Sequence, residues 1–383
     1  MAGIYIHVPF CSSFCIYCNF YSEIDKGGII GWRSSLIEEI TQRRNFFKRG
    51  VLPETLYFGG GTPSLLPLSD LKMITSHLKS IFQVDNFKEF TIEVNPDDIC
   101  NSGSEGREDL VSGYKDLGVN RISMGIQSFS DDHLKWMRRR HTASEAIEAF
   151  HRLREEGFDN ISIDLIFGFA SLSTDEWVNN IEQAISLRPE HISCYQMSIE
   201  DGSDLYDLAE TGKYIEPRQE KSARQYALLQ KRLAEAGYRQ YEISNFSLPG
   251  CESKHNGSYW SRDPYLGLGP GAHSFDGDRL RRWNVADTKK YNSAIESGQS
   301  YFESEHLSGE DVFNEQIMLG LRTIRGCSIK SLDKQLFAKI KPAVTQLVKA
   351  GSIIIDNDIL SIPSEKLFVS DGIMGSLFIE QKE

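Results

Sequence analysis

The 383-residue chain has a globular composition, with 40% hydrophobic and 25% charged residues, which excludes a disordered chain and allows one large domain with smaller ones beside it. Its formal net charge of -12 argues against general nucleic-acid binding, because phosphate backbones are bound by clustered Lys and Arg. The basic run at 138–141 is short, and we interpret it as a solvated helix end.

Two further features bear on the cellular compartment. No apolar run reaches the roughly 18 residues of a transmembrane helix, and the N-terminus lacks the charged and apolar regions of a signal peptide. Four of the seven cysteines are scattered along the chain, at Cys100, Cys194, Cys251 and Cys327. Scattered thiols are typical of a reducing compartment, so we expect a cytoplasmic protein without a transmembrane segment.

Predicted strands alternate with predicted helices between residues 3 and 235. The strands cover 3–8, 55–58, 89–95, 120–126, 160–167 and 191–196. The helices cover 32–47, 68–82, 108–117, 143–156, 174–187 and 219–235. Strands that alternate with helices in this way predict a parallel sheet with right-handed crossovers.

The third, fourth and fifth strands alternate polar and apolar residues, whereas central strands of a doubly wound sheet are apolar on both faces. The polar residues of these strands are Thr91, Glu93, Arg121, Ser123, Gln127, Ser162 and Asp164. Complete eightfold barrels usually pack their lumen with apolar side chains, so a polar lumen indicates an open, wider barrel. We therefore predict an α/β fold with a partial (β/α)6 barrel.

Residues suited to ligand binding lie at or just beyond the ends of all these strands. They are Cys11, Gly60, Glu93, Gln127, Asp164 and Gln196. Active sites of parallel barrels are built at the carboxyl ends of the strands, so we expect these residues to meet at one rim. For the two carboxylates, a salt bridge inside the barrel to Arg121 or Arg139 is the alternative role.

Cys11, Cys15 and Cys18 lie on one short loop after the first strand, in the spacing C-x3-C-x2-C. No fourth cysteine is nearby, and three thiolates can hold an iron-sulfur cluster with one iron left open for chemistry. A structural zinc site, with His7 or a distant residue as the fourth ligand, is the alternative. Clustered cysteines in a reducing compartment indicate a metal or redox role rather than disulfides.

The cysteine loop, with Tyr17 before its third cysteine, resembles the signature of the radical S-adenosylmethionine (radical SAM) enzymes. In that family three cysteines hold a [4Fe-4S] cluster, and the open iron chelates S-adenosylmethionine. The wider frame YIHVPFC at 5–11 resembles the branch that contains oxygen-independent coproporphyrinogen III oxidase and the HemW haem chaperones. The resemblance covers nearly the whole chain and implies both cofactors.

The resemblance also implies individual cofactor contacts. Gly60, Gly61 and Thr62 correspond to the turn that holds the methionine amino group of S-adenosylmethionine. Gln196 matches a contact by position only, and Ala170 replaces a proline usual in the family, which loosens a turn but removes no ligand. The other contacts fall on Tyr5, Tyr17, Glu93, Gln127, Arg139 and Asp164.

The chemistry implied by the family starts from an external electron donor such as flavodoxin or ferredoxin. One electron passes from the cluster to the sulfonium, and the C5'-S bond breaks to give a 5'-deoxyadenosyl radical. The protein has to orient the cofactor and to exclude water and oxygen.

Residues 236–308 form a predicted connecting segment after a core at 1–235. It contains the sequence HNxxYW at 255–260, which resembles a feature of the HemW branch in which the histidine is a proposed haem ligand. A lone histidine in a loop is more often an ordinary polar residue. On the resemblance, His255 is a candidate haem ligand.

Residues 309–383 form a third predicted unit. Helices at 310–325, 332–339 and 342–350 precede a hairpin of 352–355 and 359–362. Helices followed by a hairpin resemble a winged helix, here the small C-terminal domain of the porphyrin-related branch. The unit has no marked basic face, and fold does not fix function, so we expect no nucleic-acid binding.

Two departures separate this chain from the decarboxylating oxidase of the branch. The oxidase has a further cysteine where this chain has Phe20, and a long extension before the cluster loop, which here begins at Cys11. Both favour a chaperone that binds haem and delivers it to an acceptor haemoprotein. The alternative is the oxidase, which converts coproporphyrinogen III to protoporphyrinogen IX. A non-catalytic zinc protein is a third class, but it leaves the glycine turn and the polar rim unexplained.

Overall fold

A twelve-stranded sheet is the scaffold of the chain, in a computed structural model that describes residues 1–104 and 108–380. Its strands are β1 (Ala2–Val8), β2 (Pro53–Gly60), β3 (Glu89–Val94), β4 (Arg121–Gln127), β5 (Ile161–Phe167), β6 (His191–Gln196), β7 (Arg239–Gln240), β8 (Asn245–Ser247), β9 (Tyr265–Leu268), β10 (His273–Phe275), β11 (Leu280–Asn284) and β12 (Phe302–His306). They lie in the order β12-β11-β10-β9-β1-β2-β3-β4-β5-β6-β8-β7. The predicted strands β1 to β6 are neighbours and pair in parallel.

Helices connect the parallel strands, as the alternation predicted. Between β1 and β6 these are α1 (Ile29–Gln42), α2 (Leu68–Phe82), α3 (Pro96–Cys100), α4 (Leu110–Leu117), α5 (Asp131–Trp136), α6 (Ala143–Glu155) and α7 (Thr174–Leu187). The helices that follow β6 are α8 (Asp204–Glu210), α9 (Gln219–Glu235), α10 (Lys254–Trp260), α11 (Thr288–Ser297), α12 (Gly309–Leu321), α13 (Lys334–Lys349) and α14 (Ser370–Gly375). Helices α6 and α7 begin at capping boxes, which satisfy N-H groups of their first turns. No helix in the described part of the chain is long and apolar enough to cross a membrane.

The two faces of the parallel strands differ as the alternation predicted. Ile122 and Ile163 belong to the buried apolar core. Arg121, Ser162 and Asp164, from the same two strands, line a cavity in the lumen. Successive side chains of a strand point to opposite faces, so the core lies between sheet and helices while the lumen is polar. The prediction of a partial barrel with a polar lumen is confirmed.

Several predicted helix boundaries were wrong; α12, for example, ends at Leu321 rather than at residue 325. Helix α1 ends at Gln42 rather than at residue 47, because the chain turns after Arg43 and brings the Phe46 ring to 5.0 Å from its guanidinium. The break predicted in the C-terminal unit does not occur, since α13 continues through Pro342. Ile340 and Val344 lie on one buried face on either side of the proline, and their packing outweighs the lost hydrogen bond.

Residues 236–308 hold more secondary structure than the sequence predicted. Strand β9 pairs in parallel with β1, and β8 pairs antiparallel with β6, so this segment extends both edges of the six-strand core. The HNxxYW sequence, expected in a loop, forms helix α10, whose N-cap Ser253 accepts from Asn256 N at 3.3 Å. The segment therefore continues the core sheet, and its separation as a domain stays a prediction.

The C-terminal unit combines α12, α13 and α14 with a sheet of short strands, β13 (Cys327–Ser328), β14 (Ile354–Asp356) and β15 (Ile359–Ser361), in the order β13-β15-β14. The predicted hairpin is β14 and β15, and its two turn residues, Asn357 and Asp358, have φ of 48° and 63°. Positive φ at both positions is the turn geometry that matches strand twist. This is the small helical unit with a hairpin that the sequence predicted.

Candidate cofactor site at the carboxyl ends of the strands

A cavity of about 500 Å³ lies at the carboxyl ends of β1 to β6 and continues into the lumen. Its wall holds the three loop cysteines. It also holds nine residues predicted to contact S-adenosylmethionine, namely Tyr17, Gly60, Gly61, Thr62, Glu93, Gln127, Arg139, Asp164 and Gln196. The remaining one, Tyr5, lies behind this wall, where its hydroxyl group hydrogen-bonds with His7 Nδ1 at 3.1 Å. The rim predicted from strand ends is thus assembled in space, while the ligand roles stay predictions.

The cysteine loop presents three free, partly buried thiols to the cavity, those of Cys11, Cys15 and Cys18. A turn joins the last two, with Cys18 N donating to Cys15 O at 3.2 Å. Thr62 Oγ1 donates to Cys11 Sγ at 3.5 Å, and Arg139 Nη1 donates to Cys15 Sγ at 3.3 Å. Burial raises the pKa of the Cys18 thiol to about 11. Such a thiol becomes a thiolate when it coordinates a metal.

These residues fit an iron-sulfur cluster better than a single zinc ion. Among the described residues, no group of three His, Cys, Asp or Glu side chains is placed to share one metal ion. A cubane binds each thiolate through a different iron, so its ligand sulfurs stand farther apart than those around one zinc ion. His7, the alternative fourth zinc ligand, is engaged through Nε2 with Tyr21 O at 2.9 Å and through Nδ1 with Tyr5.

Arg139 joins the cysteine loop to the strand ends. Its Nη2 donates to Asn95 Oδ1 at 2.6 Å and to Gly125 O at 2.8 Å, and its Nε is buried with no hydrogen-bond partner in the described part of the chain. A buried donor left unpaired is costly, so a bound acceptor such as a carboxylate fits this position. Sequence reasoning missed Asn95, although it directly follows β3, and its Nδ2 also donates to Thr62 Oγ1 at 3.3 Å.

The glycines after β2 bring backbone against the cavity wall. A Cβ atom on Gly59 would lie 2.9 Å from Glu93 Oε1, and one on Gly61 would lie 2.7 Å from Phe10 O. Gly60 has a φ of 107°, which L side chains rarely adopt, and its N donates to Glu93 Oε2 at 3.1 Å. The turn therefore requires glycine, and it fixes the carboxylate of Glu93.

Glu93 and Asp164 are buried carboxylates in the wall. Glu93 accepts from Tyr57 OH at 2.7 Å and from Gly60 N, so these donors take the place of the arginine salt bridge that the sequence left open. Burial raises the pKa of Glu93 to about 7, and repulsion from Asp164 adds to the rise. Burial likewise raises the pKa of Asp164 to about 6, against the hydrogen bond from Ser193. The pKa values of both carboxyl groups lie near neutral pH, so hydrogen-bond donors of a bound ligand can stabilise the ionised forms.

Two other strand ends carry predicted contacts. Gln127 has a φ of 69°, and the β4-β5 register shifts between Gly125 and Gln127. Such an irregularity at a strand end changes the direction of a side chain. The side chain of Gln127 lines the cavity. Gln196 ends β6 and is exposed at the same wall. The turn that contains Ala170 is held because Ala170 N donates to Tyr214 OH at 3.3 Å.

His255, the candidate haem ligand, lies at the amino ends of the strands, behind the cavity wall. It is 1% exposed, with Nδ1 hydrogen-bonded to Thr55 Oγ1 at 2.8 Å and Nε2 to Tyr259 OH at 2.7 Å. Both ring nitrogens are engaged in this conformation. A bond to haem iron would require the ring to give up one of these hydrogen bonds and to reach solvent.

Comparison with known proteins agrees with this geometry. Residues 5–184 match the family model of the radical SAM superfamily. The heme chaperone HemW of Bacillus subtilis is 35% identical over 335 residues, which cover 86% of each chain. The heme chaperone HemW of Synechocystis is 33% identical, over 90% of this chain and 82% of its own. The solved structure of the Escherichia coli coproporphyrinogen III oxidase HemN, a radical SAM enzyme, matches with a TM-score of 0.81. The match covers 98% of this chain and 90% of that chain at 20% identity, and it shows a likeness of fold. The chain belongs to the radical SAM superfamily and, within it, to the HemW family.

Proposed function

We propose that this protein is a haem chaperone that holds a [4Fe-4S] cluster and S-adenosylmethionine, binds haem and delivers it to an apo-haemoprotein. One observation carries the proposal: three free thiols and a polar rim share one cavity, in a chain 35% identical to a heme chaperone HemW. Phe20, at the position of the oxidase's extra cysteine, is 71% exposed beside this cavity. Its lack of a thiol supports the chaperone over the oxidase.

The cluster would be held by Cys11, Cys15 and Cys18, with one iron left open. Hydrogen bonds from Thr62 and Arg139 to the first two sulfurs would stabilise the thiolates. Held there and reduced, such a cluster would supply one electron to S-adenosylmethionine. The polypeptide would orient both groups within the cavity wall.

S-adenosylmethionine would lie between the cysteine loop and the strand ends. The free Nε of Arg139 suits its carboxylate, and the backbone at Gly60 and Gly61 suits its amino group. Carboxylate and amide side chains suit the ribose diol and the adenine edge, and they are provided by Glu93, Gln127, Asp164 and Gln196. Tyr17 would pack beside the cofactor.

Two partners complete the proposal, a haemoprotein acceptor and an electron donor such as flavodoxin or ferredoxin. All the cysteines in the described part of the chain are free, which supports a reducing, cytoplasmic setting.

The second candidate is oxygen-independent coproporphyrinogen III oxidase, which the fold likeness to HemN favours. Fold alone does not assign a reaction, because one fold supports many functions. The two candidates differ in product, since only the oxidase converts coproporphyrinogen III to protoporphyrinogen IX.

The test uses the full chain, reconstituted anaerobically with iron and sulfide. We expect saturable binding of about one haem per chain in an absorbance titration, and transfer of that haem to apomyoglobin as a probe acceptor. Protoporphyrinogen formed from coproporphyrinogen III under reducing conditions would contradict the chaperone and support the oxidase.

A further inference from the structure

The floor of the lumen contains His255, whose backbone N-H and ring nitrogens are all hydrogen-bonded within the fold. Its backbone N donates to Glu89 Oε1 at 2.8 Å, and its ring bonds with Thr55 and Tyr259 on opposite sides. Burial lowers the pKa of His255 to about 3, so the imidazole is neutral, with one nitrogen donating and the other accepting. Both capacities of the ring are used within the fold, and neither is left for a ligand.

The ring of His255 is also packed against a residue of the cavity wall. It stacks on Tyr57, with the ring centroids 5.1 Å apart and an interplanar angle of 28°. Tyr57 OH donates to Glu93 Oε1 at 2.7 Å, and Glu93 Oε2 accepts from Gly60 N at 3.1 Å. A continuous row of contacts therefore runs from the floor to the glycine turn at the rim.

The two rings of this row are packed tightly against backbone. A Cβ atom on Gly3 would lie 3.1 Å from His255 Nδ1, and one on Gly59 would lie 2.7 Å from Tyr57 Cε1. Glycine at these two positions lets the rings sit directly against the backbone of β1 and β2. Loss of the His255 ring would leave a void beside Tyr57, and packed interiors close such voids only in part.

We propose that His255 is a positioning residue for the cofactor site: through Tyr57 it holds the Glu93 carboxylate in place against the Gly60 amide. The inference rests on the proposed S-adenosylmethionine site and assigns His255 to that site rather than to haem iron. Helix α10, which carries the HNxxYW sequence, then supports the cavity wall through the contact of His255 with Tyr57.

The test measures two affinities in one set of reconstituted proteins, that for S-adenosylmethionine by equilibrium dialysis and that for haem by absorbance. Tyr57→Phe keeps the ring but removes the hydrogen bond to Glu93, and we expect roughly tenfold weaker binding of S-adenosylmethionine. His255→Ala should weaken it at least as much and leave haem affinity within about twofold. The control is His151→Ala, an exposed histidine on α6, for which both affinities should stay unchanged.

Rescue by His255→Phe separates positioning from ligation. Phenylalanine restores a flat ring against Tyr57 but offers no nitrogen to iron, so we expect it to recover most of the affinity for S-adenosylmethionine that alanine loses. An equal loss of haem affinity in the Ala and Phe variants, with S-adenosylmethionine binding intact, would overturn the inference.

Tyr57→Phe keeps the test decisive if the His255 variants fail to fold. If Tyr57→Phe binds S-adenosylmethionine as tightly as the wild type does, the positioning role alone is overturned. Wild-type protein with an intact cluster and no affinity for S-adenosylmethionine would overturn the proposed cofactor site, and the positioning role with it.

Discussion

The two ends of the lumen use polar side chains in opposite ways. At the carboxyl ends, the cysteine loop keeps free thiols and Arg139 keeps a buried N-H without a partner in the described chain. At the amino ends, His255, Thr55 and Tyr259 bond to one another. At the carboxyl ends, thiols and a donor of the cavity wall remain available to a ligand, whereas at the amino ends the ring of His255 is fully engaged and maintains shape.

The largest effect expected at the ligand end is loss of the cluster. Substitution of Cys11, Cys15 or Cys18 by Ala should abolish it, because two thiolates do not hold a cubane with an open iron. Iron and sulfide analysis after anaerobic reconstitution measures this loss. Cys251→Ala, which removes a partly buried thiol outside the cavity, is the matched control and should retain the cluster. Full cluster content in a Cys15→Ala variant would show that Cys15 is not a cluster ligand.

The next effect is expected at Arg139. Arg139→Met removes a guanidinium that contacts Asn95, Gly125 and Cys15. Charge-assisted hydrogen bonds contribute about 1.5–3 kcal/mol, so affinity for S-adenosylmethionine should fall roughly 10- to 100-fold. Equilibrium dialysis provides the measurement, and Arg49→Met, at an exposed arginine, is the control. An unchanged affinity would count against the carboxylate role.

Substitution of Glu89 at the floor should lower stability and leave the iron content of the cluster unchanged. Glu89 is 1% exposed, and its carboxylate accepts from the N-H groups of Lys254 and His255. Glu89→Ala leaves these donors unpaired and should lower the free energy of unfolding by about 2–3 kcal/mol. Urea denaturation measures the change, and iron content should stay at the wild-type level. Cluster loss in folded Glu89→Ala protein would contradict the division between the two ends.

A smaller effect is expected from pH. Burial raises the pKa of Glu93 from 4.5 to about 7, so the folded protein favours the protonated form. Its contribution to stability is present below the unfolded pKa and is lost as pH rises through about 7. The cofactor-free protein should therefore lose about 1–3 kcal/mol of unfolding free energy between about pH 5 and pH 8. Asp164, whose pKa is also raised by burial, acts in the same direction.

Urea denaturation across this pH range compares the wild type with Glu93→Gln. The variant should show a shallower decline of stability with pH, because the contribution of Glu93 is then absent. Equal slopes for the two proteins would show that Glu93 does not titrate as its burial implies.

The smallest effect is expected at Phe20, which lies on the cysteine loop but is 71% exposed. Phe20→Ser removes little buried surface, so cluster content and affinity for S-adenosylmethionine should stay within about twofold of wild type. A large loss of either would show that the loop depends on this ring.

The rim could be predicted from sequence because it follows from a local rule. Strands that alternate with helices run in parallel, so their carboxyl ends meet, and Glu93, Gln127 and Asp164 each lie at such an end. Tyr57 and Asn95 were missed because no motif marks them. Their roles depend on contacts with Glu93 and Arg139, which lie on other elements.

The floor could not be predicted, because its stability comes from residues far apart in sequence. Helix α10 has seven residues, too few for a clear apolar period, and its N-terminus is capped by Glu89, 165 residues before Lys254. Strand β9 has four residues and pairs with β1 at the start of the chain. Tertiary contacts of this kind leave no local pattern.

The most direct test of the haem-chaperone function is an anaerobic haem titration of the reconstituted protein, with the same sample assayed for conversion of coproporphyrinogen III. A haem chaperone should show saturable binding of about one haem per chain and form no protoporphyrinogen. Protoporphyrinogen formation without saturable haem binding would contradict the haem chaperone and identify a porphyrinogen oxidase instead.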